Sequence, residues 1–399
     1  MNSLPENFCI APFTQCTTHP SQSFSPCPYL GGTVWPGEYG NIHQQWTSQG
    51  LADLRADFLD NKQSPICNRC WHEEKNGKRS LRLRLLDPKT HHSDFAQYAQ
   101  PNTVERLLQK ITTGVYLKGP ETLTIKNGNV CNARCRTCHP GDSSRWIADA
   151  NKLKEITGKD YHTVNKTEIN WSPKQLEEIY ELSKNLSRLE LFGGEPVYNK
   201  QVNALVERIA QSEHCNNITL YINTNGSVDI TERMPSVHKF QAVEIGVSID
   251  AVDEHFNYIR NGVEFTTVLQ NIRIWQNYFE QHDTKYFIDS ISTVQIQNIF
   301  YLPELKSKVM EVLPLAPYWN LLVEPEYLFI KNMPDNIKEA VINKLSADEE
   351  FNDIISVINQ PADLHSWENF LEVTHALDII RGEDFAKTFP EFHTLIVQG

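Results

Sequence analysis

LTIKNGNVCNARCRTC, residues 123–138, is the stretch from which the rest of the chain can be read. A short apolar run, Leu123 to Lys126, gives way at Gly128 to a loop in which Cys131, Cys135 and Cys138 are spaced by three and then two residues. The run has strand character and the glycine marks a turn. Thiolates spaced in this way on a tight loop can converge on three corners of a cubane iron–sulfur cluster, leaving one iron without a protein ligand. An open coordination position distinguishes a reactive metal centre from a closed structural one. The competing reading is a zinc site completed by His139, but an imidazole adjacent to Cys138 is poorly placed to reach the same metal.

Working outward, the segment from Glu121 to about residue 330 alternates short apolar runs with helical stretches. Strands are expected at Leu123–Lys126, Arg188–Phe192, Ile218–Ile222, Val243–Ile249, Tyr286–Val294 and Trp319–Val323. A helix opens at Pro173 behind Ser172, a good N-cap. Strands alternating with helices imply parallel βαβ units. Six of them predict an α/β fold, a partial (β/α)6 TIM-like barrel rather than a closed eight-stranded one. Functional groups of such barrels gather at the C-terminal strand ends. The unusual sequences here do the same: the cysteine loop follows the first strand, Gly193-Gly194-Glu195-Pro196 the second and Asn223-Thr224-Asn225-Gly226 the third, while Ser248 and Asp250 end the fourth. The expected organisation is a loop-rich N-terminal unit over residues 1–75, a helical connector over 76–115 with its clearest helix from Asn102 to Ile111, the barrel over 116–330 and a helical C-terminal segment over 331–399.

Composition limits what the chain can do. Its 399 residues carry 50 acidic against 37 basic side chains, a net charge of −13, which disfavours broad nucleic-acid binding. The one basic stretch, Lys75 to Arg84, reads more simply as a helix face packed on acidic neighbours than as an RNA patch. No apolar run approaches membrane-span length and the N-terminus lacks a secretory signal, so a cytoplasmic enzyme without membrane or nucleic-acid partners is expected. Nine cysteines without an export signal favour zinc or iron–sulfur ligation over disulfides.

The loop Cys131-x3-Cys135-x2-Cys138 resembles the radical S-adenosylmethionine (SAM) motif, and its companions strengthen the likeness. Gly193-Gly194-Glu195-Pro196 is similar to the family's GGEP segment, whose backbone and Glu195 would engage the SAM ammonium. Ser248 and Asp250 resemble its ribose and carboxylate contacts, and Arg260 the arginine that pairs with the SAM carboxylate, a task suited to a guanidinium fork. Asn223, Asn225, Thr293, Gln295 and Asn298 would either contact adenosine or substrate, or cap turns. Thr137 stands where the family often has an aromatic or large apolar residue. The resemblance implies a [4Fe–4S] cluster on Cys131, Cys135 and Cys138, bound SAM, and an electron donor such as flavodoxin or ferredoxin. It also implies a 5′-deoxyadenosyl radical that abstracts hydrogen from substrate, with the hard chemistry carried by the cofactors.

Cys9, Cys27, Cys67 and Cys70 form a second constellation able to enclose a metal completely, as Zn(Cys)4 or as a cubane cluster. Their surroundings, Cys9-Ile-Ala-Pro-Phe13, Ser25-Pro-Cys27-Pro28, Tyr39-Gly-Asn-Ile42, Leu51-Ala-Asp-Leu-Arg55 and Cys67-Asn-Arg-Cys70, resemble the twitch or SPASM auxiliary-cluster domains of radical SAM enzymes. That implies one auxiliary [4Fe–4S] cluster, here ahead of the barrel. Cys16 is either a substitute for Cys9 or a buried thiol, and Cys215 is structural. The resemblance leads to an expected peptide substrate, to be oxidised, cross-linked or epimerised. The alternatives are a dehydrogenase of a sugar or other polar small molecule, and a zinc-stabilised binding protein without catalysis. The helical tail, with Asp378 to Arg381 and Phe389 to Glu391, is placed to cover the barrel mouth.

Overall fold

A computed structural model describes residues 4–19, 24–30, 42–75, 79–86, 103–126, 128–162 and 171–398. Tyr39 to Asn41 of the N-terminal motif, part of the basic stretch and Asn102 lie outside the described residues. All six expected strands form: β3 (Thr122–Lys126), β4 (Arg188–Phe192), β5 (Thr219–Thr224), β6 (Ala242–Ser248), β7 (Tyr286–Val294) and β8 (Tyr318–Leu321). They pair in parallel in chain order. Residues alternate between the two faces of each strand. One face, with Leu123, Ile125, Leu189, Leu191, Leu220, Ile222, Val243, Ile245 and Val247, is fully buried. Amphipathic helices supply partners at helical spacing, as in Phe265–Gln281, where Val268, Ile272, Trp275 and Phe279 are all buried. Ser172 caps Pro173–Ser183 through a reciprocal box with Gln175, which satisfies two otherwise orphaned backbone donors.

The opposite face is polar and internally neutralised. Arg188, almost inaccessible to solvent, pairs with Glu190 of its own strand and with Glu244 of β6, each at 2.7 Å. Thr124 of β3 donates to Glu190 at 2.6 Å. These links cross three strand junctions and fix the register that the outer apolar residues select.

Two further strands come from the N-terminal segment. β1 (Gln15–Thr18) pairs in parallel with β3, Cys16 opposite Leu123, and β2 (Phe24–Ser25) pairs antiparallel on its outer edge. The cysteine-rich segment and the barrel therefore share one eight-stranded sheet. The sheet stays open, with β2 and β8 at its edges. The short helix Leu81–Leu86 links the two sides: Arg84 donates to Tyr318 of β8 at 2.9 Å and to Tyr29, just past β2, at 2.8 Å. After Pro334 the chain is helical, with Asp335–Leu345, Asn352–Ile358, Leu364–Arg381 and Pro390–Gln398 as its main elements. Among the described residues, no helix is long and apolar enough to cross a membrane.

Candidate iron–sulfur and SAM site

The three-cysteine loop leaves the C-terminal end of β3 and is held mainly by its own backbone. Arg134 and Arg136 donate their main-chain N–H groups to the carbonyls of Asn261 and Ile259, each at 2.7 Å. Ser143 closes on the Ala133 carbonyl and Asn129 on that of Pro140. The Trp146 indole donates to the Cys135 carbonyl at 2.7 Å. A loop whose peptide groups are satisfied this way holds one shape, and a cluster requires that of its ligands.

Two of the three thiols meet donors. The Ala133 N–H lies 3.4 Å from Cys131 Sγ and the Asn225 amide 3.9 Å from it, while Arg260 Nη1 lies 3.8 Å from Cys135 Sγ. A hydrogen bond from Cys138, followed by the Arg260 charge, brings the Cys135 thiol down to about 7. The same hydrogen bond raises Cys138, and burial pushes Cys131 up to about 12. Donors aimed at sulfur favour the thiolate form that metals bind. The residues thus fit a thiolate-ligated cluster. Among the described residues, no three His, Cys, Asp or Glu side chains are grouped as around a single metal ion. A cubane takes each thiolate on a different iron and needs a wider arrangement.

The next strand ends close against this loop. Gly193 and Gly194 turn with φ of +87° and +48°. A Cβ on Gly194 would stand 2.3 Å from the Val130 carbonyl oxygen, so only glycine fits. The following N–H, of Glu195, donates to that same carbonyl at 2.9 Å. Glu195 is fully buried: Thr224 Oγ1 and the Val197 N–H donate to one carboxylate oxygen, and the Asn225 N–H to the other at 2.7 Å. Burial raises its carboxyl to about 7 against the pull of those donors. The structure places Glu195 as a brace between the loops after β4 and β5. Asn225 continues it, donating to Asn132 Oδ1 of the cysteine loop at 2.9 Å. Pro196 is buried behind the turn. Asn223 accepts a long hydrogen bond, 3.4 Å, from Ser248, so these two half-buried groups stand side by side at the ends of β5 and β6.

Asp250 and Arg260 come together. The Arg260 Nε lies 2.8 Å from Asp250 Oδ2, an ion pair without the alignment of a hydrogen bond, and both groups are buried. Asp250 also accepts from the Thr293 N–H at 2.7 Å. Arg260 therefore links a carboxylate at the end of β6 to the Cys135 sulfur. Asn298 donates to the carbonyls of Asp250 and Thr293, and Gln295 accepts from the Gln297 N–H. These two side chains cap the turn after β7. Sequence reasoning missed Asn132, Thr224 and Asn261, which join the loops; no spacing in the chain marks them.

Cys9, Cys27, Cys67 and Cys70 line one cavity of about 30 Å³, walled by Ala11, Phe58, Leu81 and Leu85 among others. Burial lifts all four thiols, Cys27 to about 11 and Cys67 to about 12, and nearby thiols add to the rise in Cys9, Cys27 and Cys67. Cys16 lies outside that cavity, buried within β1. Cys215 is buried against the Lys239 carbonyl. Within the basic stretch, Arg82 turns inward: it is nearly buried, pairs with Glu74 at 2.5 Å and donates to the carbonyls of Glu6 and Phe8.

Comparison with known proteins gives a family match over part of the barrel, from β3 to just past β7: the Radical SAM superfamily model fits residues 125–298. A curated relative, GTP 3′,8-cyclase of Aquifex aeolicus (strain VF5), is 26% identical over 139 residues, 34% of this chain and 37% of the cyclase. The chain thus spans little more than a third of that relative's length. Among solved structures, anSMEcpe with bound AdoMet aligns over 66% of this chain and 68% of its own, at 16% identity and TM-score 0.38. Streptococcus suis SuiB bound to S-adenosylmethionine aligns over 84% and 71%, at 15% identity and TM-score 0.38. The three-cysteine loop at the C-terminal end of β3 lies within the matched segment, so residues 125–298 carry the likeness to the Radical SAM superfamily.

Proposed function

We propose that this protein reductively cleaves SAM at the Cys131–Cys135–Cys138 loop and uses the resulting radical on a peptide substrate. The observation that carries the reading is the loop itself: three thiols on one rigid turn at a strand end, with N–H donors from Ala133, Asn225 and Arg260 within 3.4–3.9 Å of two sulfurs. A [4Fe–4S] cluster and SAM bound there supply a 5′-deoxyadenosyl radical that abstracts hydrogen. The chain's own residues hold and orient. Arg260, anchored by Asp250, steadies the Cys135 thiolate. Gly193 and Gly194 bring backbone against the loop, where their carbonyls can accept from the SAM ammonium, while Glu195 locks the adjoining loops. Asn223 and Ser248 offer paired hydrogen-bonding groups for the nucleoside.

In this reading Cys9, Cys27, Cys67 and Cys70 hold an auxiliary [4Fe–4S] cluster, and residues 1–75 act as a twitch-like unit attached through β1. Four thiols around one cavity support it. The peptide assignment rests on the likeness of that segment to twitch and SPASM domains. The proposed electron donor is a flavodoxin or ferredoxin, for which dithionite can stand in.

The test is anaerobic reconstitution followed by SAM and reductant. 5′-Deoxyadenosine should form and should vanish when Cys131, Cys135 and Cys138 are replaced by Ala. Stimulation of its formation by peptides, and not by sugars, would support the substrate class. A protein that leaves SAM intact under strong reduction would refute the activity.

A further inference from the structure

The cluster loop carries two arginines: Arg136 reaches the C-terminal segment directly, and Arg134 reaches it only through Asp149. Arg136, directly after Cys135, is almost completely buried. Its Nη2 pairs with Asp378 at 2.5 Å and with Glu383 at 2.6 Å, residues 242 and 247 positions away in the chain. The guanidinium lies 3.7 Å from the Tyr258 ring centre, and Tyr258 donates its hydroxyl to Asp378 at 2.7 Å. Glu383 also accepts from Asn261 at 2.6 Å, and the backbone of Phe385 donates to Asp378 at 2.7 Å. A second bridge repeats the pattern. Asp149, in the helix Trp146–Thr157, takes Arg134 of the loop at 3.1 Å and Arg381 of the tail at 2.9 Å. Arg381 lies over the ring of Trp146, whose indole holds the Cys135 carbonyl.

Three cations, Arg134, Arg136 and Arg381, thus interleave with three carboxylates, Asp149, Asp378 and Glu383. The balance explains how so many charges stay buried: each finds an opposite partner at hydrogen-bonding distance. Arg136 is fixed at both ends, its main-chain N–H on Ile259 and its side chain on the tail. Cys135 is bonded directly to it. The helix Leu364–Arg381 packs on the helix Trp146–Thr157 that follows the loop.

The geometry points to the C-terminal segment as a positioning element of the cluster loop, with Asp378 and Glu383 acting through Arg136, and Arg381 acting through Asp149 and Trp146. This inference rests on the radical SAM reading of the loop. Removing the tail's two carboxylates leaves a buried guanidinium unpaired beside Cys135. Breaking such a pair is costly, and the inexpensive way out is for the loop to move.

The test uses full-length, anaerobically reconstituted protein carrying Asp378→Asn with Glu383→Gln, the conservative Asp378→Glu, and Arg136→Gln alone and combined with the double change. Iron release to a chelator and the SAM-induced change in the electron paramagnetic resonance (EPR) of the reduced loop cluster are read, with the auxiliary cluster as internal control. The double variant should release the loop cluster's iron about ten-fold faster and weaken its response to SAM, with the auxiliary signal retained. Asp378→Glu should restore wild-type behaviour, and adding Arg136→Gln to the double variant should cost nothing more. Wild-type release and response in the double variant, or equal loss of both clusters, would overturn the inference. A wild-type protein with no SAM-responsive cluster would instead overturn the reading beneath it.

Discussion

Replacing Gly194 by Ala should damage the site out of proportion to the single methyl added. The new Cβ would stand 2.3 Å from the Val130 carbonyl oxygen and 2.9 Å from its carbon, both main-chain atoms. Ordinary contact begins at 3.4 Å. The turn after β4 must therefore retreat by about 1 Å from the cysteine loop, given the closeness of interior packing. The left-handed backbone, at φ +48°, adds about 1–2 kcal/mol for any residue with a Cβ. The retreat also breaks the Glu195 N–H to Val130 carbonyl bond, worth about 1 kcal/mol. The sum is about 2–3 kcal/mol. Gly158 is the control: its φ is +68°, but nothing lies within 4 Å of its Cβ position, so Gly158→Ala should cost only the backbone share, about 1–2 kcal/mol. Urea unfolding of both variants, with SAM affinity by equilibrium dialysis, measures the difference. Gly194→Ala should lose more stability and bind SAM about ten-fold more weakly or worse, while Gly158→Ala keeps wild-type affinity. Equal costs, or unaltered SAM binding in Gly194→Ala, would refute the argument that this turn is fitted to the cluster loop.

Other outcomes follow from the same contacts. Glu244→Gln removes one of the two carboxylates paired with the buried Arg188 and should lower stability by about 2–3 kcal/mol, seen as an earlier urea midpoint with unchanged slope. Cys67→Ser with Cys70→Ser should reduce bound iron from about eight to about four per chain and spare SAM cleavage; loss of all iron would show that the two thiol sets are not independent. Burial, helped by His139, lowers His162 from its ordinary 6.5 to about 4, so the unfolded chain takes up a proton there that the folded one refuses. Stability should thus fall as pH drops from about 6.5 towards 4, and His162→Gln should flatten that slope between urea midpoints taken at pH values across the window.

Much of the barrel was legible because its strands are short apolar runs bounded by turn residues. The expected limits of β4 and β7 match the structure to the residue, since Arg188–Phe192 and Tyr286–Val294 stand between clear helical segments. β1 was not legible. Gln15-Cys16-Thr17-Thr18 has no alternation and is buried on both faces, so only its parallel pairing with β3 makes it a strand. The cysteine quartet was readable from spacing, whereas the place of Cys16 outside it depends on β1. Asp250 and Arg260 were singled out separately for contacts with a cofactor; that they pair with each other depends on how the chain turns after β6. The carboxylates holding Arg136 carry no local signal at all, because ion pairs across 242 residues are a property of packing rather than pattern.

The central claim is that one iron of the loop cluster is open and takes SAM directly. Electron–nuclear double resonance (ENDOR) on the reduced protein, with SAM labelled by ¹⁵N in its amino group and ¹⁷O in its carboxylate, tests it most directly. Hyperfine coupling of both labels to the cluster is predicted, lost when Cys131, Cys135 and Cys138 are replaced and kept when Cys67 and Cys70 are. A fully assembled cluster showing no coupling to either label would contradict the account.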